Sequence, residues 1–264
     1  MSLRRRMALR LRAAGVPSAD SDAAALIEFV SGSRSAFVEL TVEQEAHLED
    51  LVVKRCRRVP LQHLTGSAGF RYLDLEVGPG VFVPRPETEV LVDVALQEPF
   101  SRAIDLCTGS AAIALSLATE TGAEVVAVEV DPLALQWARL NARGRVEVLA
   151  ADVCSDDLSH LGPVELVVSN PPYIPEAMVP RDPEVALHDP SVALYGGVDG
   201  LDVVRCVLAQ ARRLLRPGGR VLIEHGEYQA ADVRALLDGF GEVRTWQDLT
   251  GRDRITGGRL PRRR

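Results

Sequence analysis

The chain has 264 residues, 47% hydrophobic and 25% charged, enough for one large α/β domain and a small second one. Its formal net charge of -7 argues against a protein whose affinity comes from neutralising many phosphates. No apolar run approaches membrane-spanning length. Cys56, Cys107, Cys154 and Cys206 are scattered without paired metal-ligand spacing, so they read as reduced thiols of a cytoplasmic protein with no metal site.

Residues 1–58 read as helical. Leu3, Met7, Leu9 and Leu11 fit an amphipathic helix, and no apolar signal stretch follows Arg4-Arg5-Arg6. Ser18-Ala-Asp-Ser21 is a candidate cap for a helix from Asp22 to Val30. Thr41 and Gln44 have the spacing of a capping box, leading into a helix through Lys54 and Arg57. Strand-type alternation is missing, so a small helical domain is expected. It either covers the main domain or recognises a partner.

Pro60 breaks the helix. Residues 59–84 then carry Phe70, Tyr72, Leu73, Leu75, Val77, Val81, Phe82 and Val83 around Gly78-Pro79-Gly80, which predicts a β-hairpin connector turning at those glycines. Pro84-Arg85-Pro86-Glu87-Thr88-Glu89 opens a helix, with a proline in the first turn and acidic residues after it. Arg85 stands between two prolines, where the backbone is stiff and the side chain is aimed.

From residue 85 to 264 the pattern predicts a single Rossmann-like domain. Strands are expected at 103–106, 124–129, 146–150, 166–169, 219–224, 243–247 and 254–256, with helices at 111–118, 133–141, 201–215 and 230–237 between them. Strands joined by helices give a doubly wound, mostly parallel, seven-stranded sheet. The basic end Arg262-Arg263-Arg264 is expected to be disordered.

Several strand ends carry chemistry. The apolar run Leu166 to Val168 stops at Ser169-Asn170-Pro171-Pro172-Tyr173, since neither proline can donate to a ladder. The loop is stiff and offers one amide, Asn170, and one ring, Tyr173. It lies at the end of the strands where open α/β sheets bind ligands. After the first strand, a turn containing Gly109 brings backbone N–H groups and a helix N-terminus toward a ligand. The dinucleotide pattern Gly-x-Gly-x-x-Gly is absent. Asp105 there would repel a pyrophosphate. It suits a cation such as the amino group and sulfonium of S-adenosylmethionine, although a plain tight turn fits the same residues.

Glu129 ends the second strand, about twenty residues on, where a carboxylate can take both ribose hydroxyls; a surface glutamate is the alternative. Asp152 could accept from an adenine amino group, with Val153 as an apolar wall, although aspartate is common in turns. His63, His188 and His225 read as structural. A nucleoside with a cationic tail would then lie along the sheet edge, with Asn170 to Tyr173 facing the tail. An amide nitrogen is a weak nucleophile, so methyl transfer to one needs acceptors held rigidly on its N–H groups. Asn170 Oδ1 and the Pro171 carbonyl suit that role, and Tyr173 suits stacking on a planar acceptor.

From about Pro60 to Arg254 the chain resembles the HemK/PrmC-type release factor glutamine methyltransferases. The resemblance rests on Pro60-Leu-Gln-His-Leu-Thr-Gly66, Phe82-Val-Pro-Arg-Pro-Glu-Thr-Glu89, Asp105-Leu-Cys-Thr-Gly109, Asn170-Pro-Pro-Tyr173, Gly196-Gly-Val-Asp-Gly200 and Asp248-Leu-Thr-Gly-Arg-Asp-Arg254. It implies the class I S-adenosylmethionine-dependent methyltransferase fold and N5-methylation of the glutamine in the Gly-Gly-Gln loop of class I peptide chain release factors. It implies S-adenosyl-L-methionine held by Asp105, Leu106, Cys107, Thr108, Gly109, Glu129, Val153 and Asn170, beside the Asp152 already read. Substrate would meet Arg85, Asn170, Pro171, Pro172 and Tyr173, with Asn170, Pro171 and Tyr173 catalytic. By the same resemblance, Cys107 and Ala111 stand where that family usually has glycine, and Val153 where an aromatic residue is often found.

Two other readings compete. An adenine-N6 nucleic-acid methyltransferase shares the Asn-Pro-Pro-Tyr loop, but calls for a basic stripe and a recognition region that this acidic chain lacks. A non-catalytic binder with a degenerate fold has only Cys107 and Val153 in its favour.

Overall fold

The computed structural model describes residues 2–35 and 38–262. Met1, at the start of the predicted first helix, and Arg263 and Arg264 of the basic end lie outside them. In chain order the elements are α1 (Leu3–Ala13), α2 (Ala19–Ser31), α3 (Val42–Cys56), α4 (Leu61–Thr65), β1 (Ser67–Phe70), β2 (Leu73–Glu76) and α5 (Pro86–Ala95). Then come β3 (Arg102–Leu106), α6 (Ala112–Thr121), β4 (Glu124–Glu129), α7 (Pro132–Ala142), β5 (Glu147–Ala150) and β6 (Val164–Ser169). The chain ends with α8 (Pro183–His188), α9 (Ser191–Leu194), α10 (Asp202–Leu214), β7 (Leu215–Glu224), α11 (Ala230–Leu236), β8 (Gly241–Gln247) and β9 (Asp253–Arg259). They form two compact units: Met1–Ser67 with Pro180–His188, and Ala68–Val179 with Asp189–Arg264.

The first unit is helical. Thr41 and Gln44 make both bonds of the capping box on α3. Ser18 stands at the N-cap of α2 but its side chain caps nothing; Asp20 and Asp22 supply the favourable charge there instead. Met7 and Leu11, Ala23 and Leu26, and Leu48 and Val52 lie three or four residues apart and pack into one core. A buried ion network crosses this unit. Arg55 donates to Asp22 (2.7 Å) and to Glu184 (2.7 Å), and Arg58 also holds Glu184. Burial pushes the Glu184 carboxyl up, but hydrogen bonds with the side chains of Asp182, Arg58 and Arg55 prevail and hold it at about 2. Removing the Arg55 guanidinium would strand the buried Asp22 carboxylate and leave Glu184 to Arg58 alone. Arg55→Ala is therefore expected to cost about 3 kcal/mol or more in urea denaturation. A change within about 0.5 kcal/mol would show that the network carries no stability.

In the second unit β1 and β2 pair. The hairpin turns at Arg71-Tyr72, not at Gly78-Pro79-Gly80. Arg71 takes a left-handed φ of 51°. Glu89, Asp93 and Glu120 hold its backbone N–H and guanidinium. Gly78-Pro79-Gly80 does form a turn, with the Val81 N–H donating to the Gly78 carbonyl (3.4 Å), but outside the hairpin, and Gly78 and Gly80 lie against Trp137 and Leu133, where a Cβ would clash. The stretch 59–84 is thus divided, with α4 in the first unit and the hairpin in the second.

The large sheet has the order β5-β4-β3-β6-β7-β9-β8. It is parallel except that β9 runs antiparallel to β7 and β8. The strand expected from Gly219 begins at Leu215. The register with β6 shifts between Val164 and Leu166, so Arg216–Gly219 bulges out, which is how Pro217 is tolerated. Alternation along the strands fills two cores. Ala103, Val125, Leu166, Val168 and Leu222 face α5, α6 and α7. Ile104, Leu106, Val126, Val167 and Ile223 face α10 and α11.

One thiol expectation is overturned. Cys154 and Cys206 form a disulfide with Cα atoms 5.0 Å apart, whereas Cys56 and Cys107 are free. The loop after β5 folds over α10, where Gln210 Nε2 donates to the Val153 and Asp156 carbonyls (3.0 and 2.8 Å) and brings Cys154 onto the helix. Among the described residues no helix is long and apolar enough to cross a membrane.

Candidate active site

The strand order reverses at β3, which pairs with β4 on one side and β6 on the other. Loops leaving the C-terminal ends of β3 and β6 therefore flank a switch point, where open sheets leave a crevice. Asp105, near the end of β3, is fully buried. Its Oδ2 accepts from Thr108 Oγ1 (2.6 Å) and from the Ala114 N–H (3.1 Å). Its Oδ1 has no partner among the described residues. Burial pushes the carboxyl up to about 7, against the Thr108 and Ala114 bonds and with the charge of Glu129 adding to the rise. A buried carboxylate with one open oxygen is costly unless a donor or cation meets it. That is the environment an ammonium group requires.

The loop between β3 and α6 is left-handed at every second residue, with φ of 61°, 59° and 66° at Cys107, Gly109 and Ala111. Leu106 pairs within the sheet, and the Thr108 N–H donates to the Val128 carbonyl (3.0 Å). Cys107 and Ala111 carry a Cβ where that backbone costs roughly 1–2 kcal/mol. The backbone here thus asks for glycine-like geometry, and this chain meets it under strain. Burial, with Glu129 and Asp105 nearby, pushes the Cys107 thiol up, so it stays neutral.

Glu129 is bound to this loop. Its Oε2 accepts from the Gly109 N–H (2.8 Å), and its Oε1 from the Val130 and Asp131 N–H groups (both 2.9 Å). Burial pushes it up and these backbone donors oppose the rise. Asp105, Thr108, Gly109 and Glu129 are therefore one connected group. Val130, which sequence reasoning passed over, exposes an apolar face beside Glu129. Asp152 lies beyond Ala150, the residue paired with Glu129. Both its oxygens are engaged within its own loop, by the Cys154 N–H (2.8 Å) and Ser155 Oγ (3.1 Å), as in an ordinary Asx turn. Val153 is buried in the core facing α10.

The acceptor loop follows β6, and Ser169 pairs with Leu106, which sets Asn170 beside the Cys107 turn. Asn170 Nδ2 donates to Thr88 Oγ1 (3.2 Å), in the first turn of α5. Pro171 is buried. The Tyr173 carbonyl accepts from Gln229 Nε2 (2.9 Å), and its hydroxyl reaches Glu224 Oε1 (3.4 Å). Past Pro172, Ile174 bonds to Leu194 and Gly196 (2.8 and 3.0 Å). A Cβ at Gly196 would meet the Pro172 carbonyl, and one at Gly200, at φ 77°, the Tyr173 carbonyl. These close approaches explain the Gly196–Gly200 motif. Arg85 stands at the N-cap of α5 without a side-chain capping bond, pairs with Asp189 (3.2 Å) and lies over the Phe82 ring. His225 bonds to Thr256 and Gly226 and is structural.

Sequence reasoning missed Glu224 and Gln229 and did not single out Thr88. Burial pushes Glu224 up to about 7, opposed by the Thr88 hydroxyl, Arg254 and the Tyr173 hydroxyl, with Glu87 adding to the rise. The signal was present: Val221-Leu-Ile-Glu224 ends a strand in a carboxylate, as Val126-Ala-Val-Glu129 does.

Known proteins share this architecture. Residues 2–66 match the PrmC N-terminal domain family and residues 61–182 the methyltransferase small domain family. A methyltransferase from Pyrococcus furiosus superposes with a TM-score of 0.56 at 18% identity, covering 84% of this chain and all of that one, which speaks to fold alone. The release factor glutamine methyltransferase of Mycolicibacterium smegmatis is 49% identical over 267 residues, 96% of this chain and 95% of its own length. That of Streptomyces coelicolor is 45% identical over 255 residues, 90% of this chain and 88% of its own. With relatives this similar along nearly its whole length, the chain belongs to the release factor glutamine methyltransferase family.

Proposed function

We propose that this enzyme uses S-adenosyl-L-methionine to methylate N5 of the glutamine in the Gly-Gly-Gln loop of class I peptide chain release factors. It is a protein-modifying enzyme of the cytoplasm that contacts neither nucleic acid nor membrane. The observation that carries the chemical reading is the pairing of two groups across the switch point. Asp105 holds one buried oxygen open for a cation. Asn170 has its Nδ2 anchored on Thr88, which leaves Oδ1 for an acceptor amide.

When bound, the cofactor supplies an electrophilic methyl group on a cationic sulfur. The residues of this chain do the rest. Asp105 would take the ammonium group of the cofactor, and Glu129 its ribose, through the lone pairs that the backbone donors leave. Leu106, Cys107, Thr108 and Gly109 would pass alongside it. Val153 would supply the apolar wall and Asp152 the edge of the adenine site. Asn170 Oδ1 and the Pro171 carbonyl would accept the two N–H groups of the glutamine amide and hold its nitrogen in line. As positive charge develops on that nitrogen, both oxygens stabilise it without reorganising, and the nitrogen then releases one proton to solvent to leave the neutral N-methyl amide. Pro172 keeps the loop stiff, the Tyr173 ring bounds the amide plane, and Arg85 lines the entrance.

The test offers purified enzyme and labelled cofactor a release factor and an oligonucleotide in parallel. Label on the Gly-Gly-Gln peptide and none on the oligonucleotide is expected. Label on the oligonucleotide alone would favour an adenine-N6 enzyme.

A further inference from the structure

Asn170 can serve an acceptor amide only if its own amide faces the right way. The two ends of an asparagine amide are nearly the same size and opposite in hydrogen-bonding sense. A rotation by half a turn would present Nδ2 to the substrate nitrogen, a donor facing donors. Something must choose the orientation, and the Asn-Pro-Pro-Tyr loop does not supply it.

The choice is made by residues on two neighbouring elements. Ser169 and Ile223 are register partners on the parallel strands β6 and β7, so Asn170 and Glu224 leave the sheet side by side. Thr88 comes from α5, is 4% exposed, and lies at 3.2 Å from Asn170 Nδ2. Glu224 is 3% exposed, and its Oε2 has no hydrogen-bond partner among the described residues. The Thr88 hydroxyl opposes the rise that burial imposes on Glu224, so beside the ionised form of that carboxyl, which can only accept, the Thr88 proton turns toward Glu224 and the Thr88 oxygen is left to accept.

We propose that Thr88 is a positioning residue for methyl transfer: its hydroxyl, polarised toward Glu224, accepts from Asn170 Nδ2 and so fixes Asn170 Oδ1 toward the glutamine amide. The inference deepens the function proposed above and rests on it. It assigns to the Pro86-Glu87-Thr88-Glu89 segment a role besides starting a helix. Thr88 need never touch the substrate; it acts through Asn170.

The test compares Thr88→Val, which keeps the shape and removes the hydroxyl, with Thr88→Ser, which keeps the hydroxyl. With a release factor as substrate, Thr88→Val is expected to lower kcat roughly tenfold with little change in either KM, and Thr88→Ser to recover most of it. Equal rates for Val and wild type, or equal loss in Val and Ser, would overturn the proposal. A second readout does not depend on turnover. The side-chain amide protons of Asn170, assigned by their absence in Asn170→Asp, are expected to exchange slowly in wild type and Thr88→Ser and rapidly in Thr88→Val. Unchanged exchange in Thr88→Val would overturn the proposal even if wild-type protein transferred no methyl to a release factor, a result that by itself would count only against the function.

Discussion

Asn170→Ala is expected to lower kcat for release factor methylation by roughly 10²-fold or more, with fold and cofactor binding largely retained. An amide nitrogen gains positive charge as it attacks, and Asn170 Oδ1 is an acceptor already in place, held through Nδ2 by Thr88 at 3.2 Å. Truncation leaves only the Pro171 carbonyl. Water entering the gap would have to reorient at the moment of reaction, which the fixed oxygen avoids. Steady-state rates at saturating cofactor provide the check, with cofactor affinity measured by calorimetry on the same variant. An unchanged kcat would mean that the acceptor amide is held elsewhere.

Asp105→Asn is expected to weaken binding of S-adenosyl-L-methionine by roughly ten- to a hundredfold, the loss of about 1.5–3 kcal/mol from a hydrogen bond to a charged group. The pH dependence carries a distinct signature. The Asp105 carboxyl is raised from 3.8 to about 7 in the folded chain, chiefly by burial. Between those values the folded protein keeps the proton and the unfolded chain loses it. Stability from this group therefore falls as pH rises through that window and is gone above about 7. Binding of a cation runs the other way, because only the ionised carboxyl attracts it. Wild-type affinity should rise with pH toward 7 and then level off, while Asp105→Asn should be both flatter in affinity and no less stable than wild type at pH 8. Calorimetry across pH 5–8 reads the first and urea denaturation the second. Equal affinity of the two proteins at pH 8 would remove Asp105 from the cofactor site.

Much of this was legible because strand ends carry unusual residues. Aspartate, glutamate and asparagine at 105, 129 and 170 each follow an apolar run, and a buried strand has no local use for a polar group at its end. Period-two alternation along the same strands gave away the two cores. What the sequence hid depends on three-dimensional neighbours. The hairpin turn fell at Arg71 because three acidic side chains reward a left-handed arginine, which no local rule anticipates. Glycines 78 and 80 do flank a turn, closed by the Val81 N–H on the Gly78 carbonyl, but it is not the hairpin's, and both glycines also admit Trp137 and Leu133. Thr88 hid inside a helix start, where Pro86, Glu87 and Glu89 already had a sufficient explanation. The Cys154–Cys206 pair was out of reach because α10 and the loop after β5 meet only in the fold. Cys107 and Ala111 were visible as departures, but only their positive φ shows that the backbone insists on glycine-like geometry there.

Asn170 and its loop are proposed to hold a glutamine amide for methyl transfer at N5. The most direct measurement follows labelled methyl from S-adenosyl-L-methionine onto a release factor with its Gly-Gly-Gln loop intact and onto the same protein with that glutamine replaced by alanine, with the labelled peptide sequenced by fragmentation. Label on the glutamine side-chain nitrogen of the first substrate and none on the second is the predicted result. Equal labelling of both, or label on any other residue of the intact loop, would contradict it.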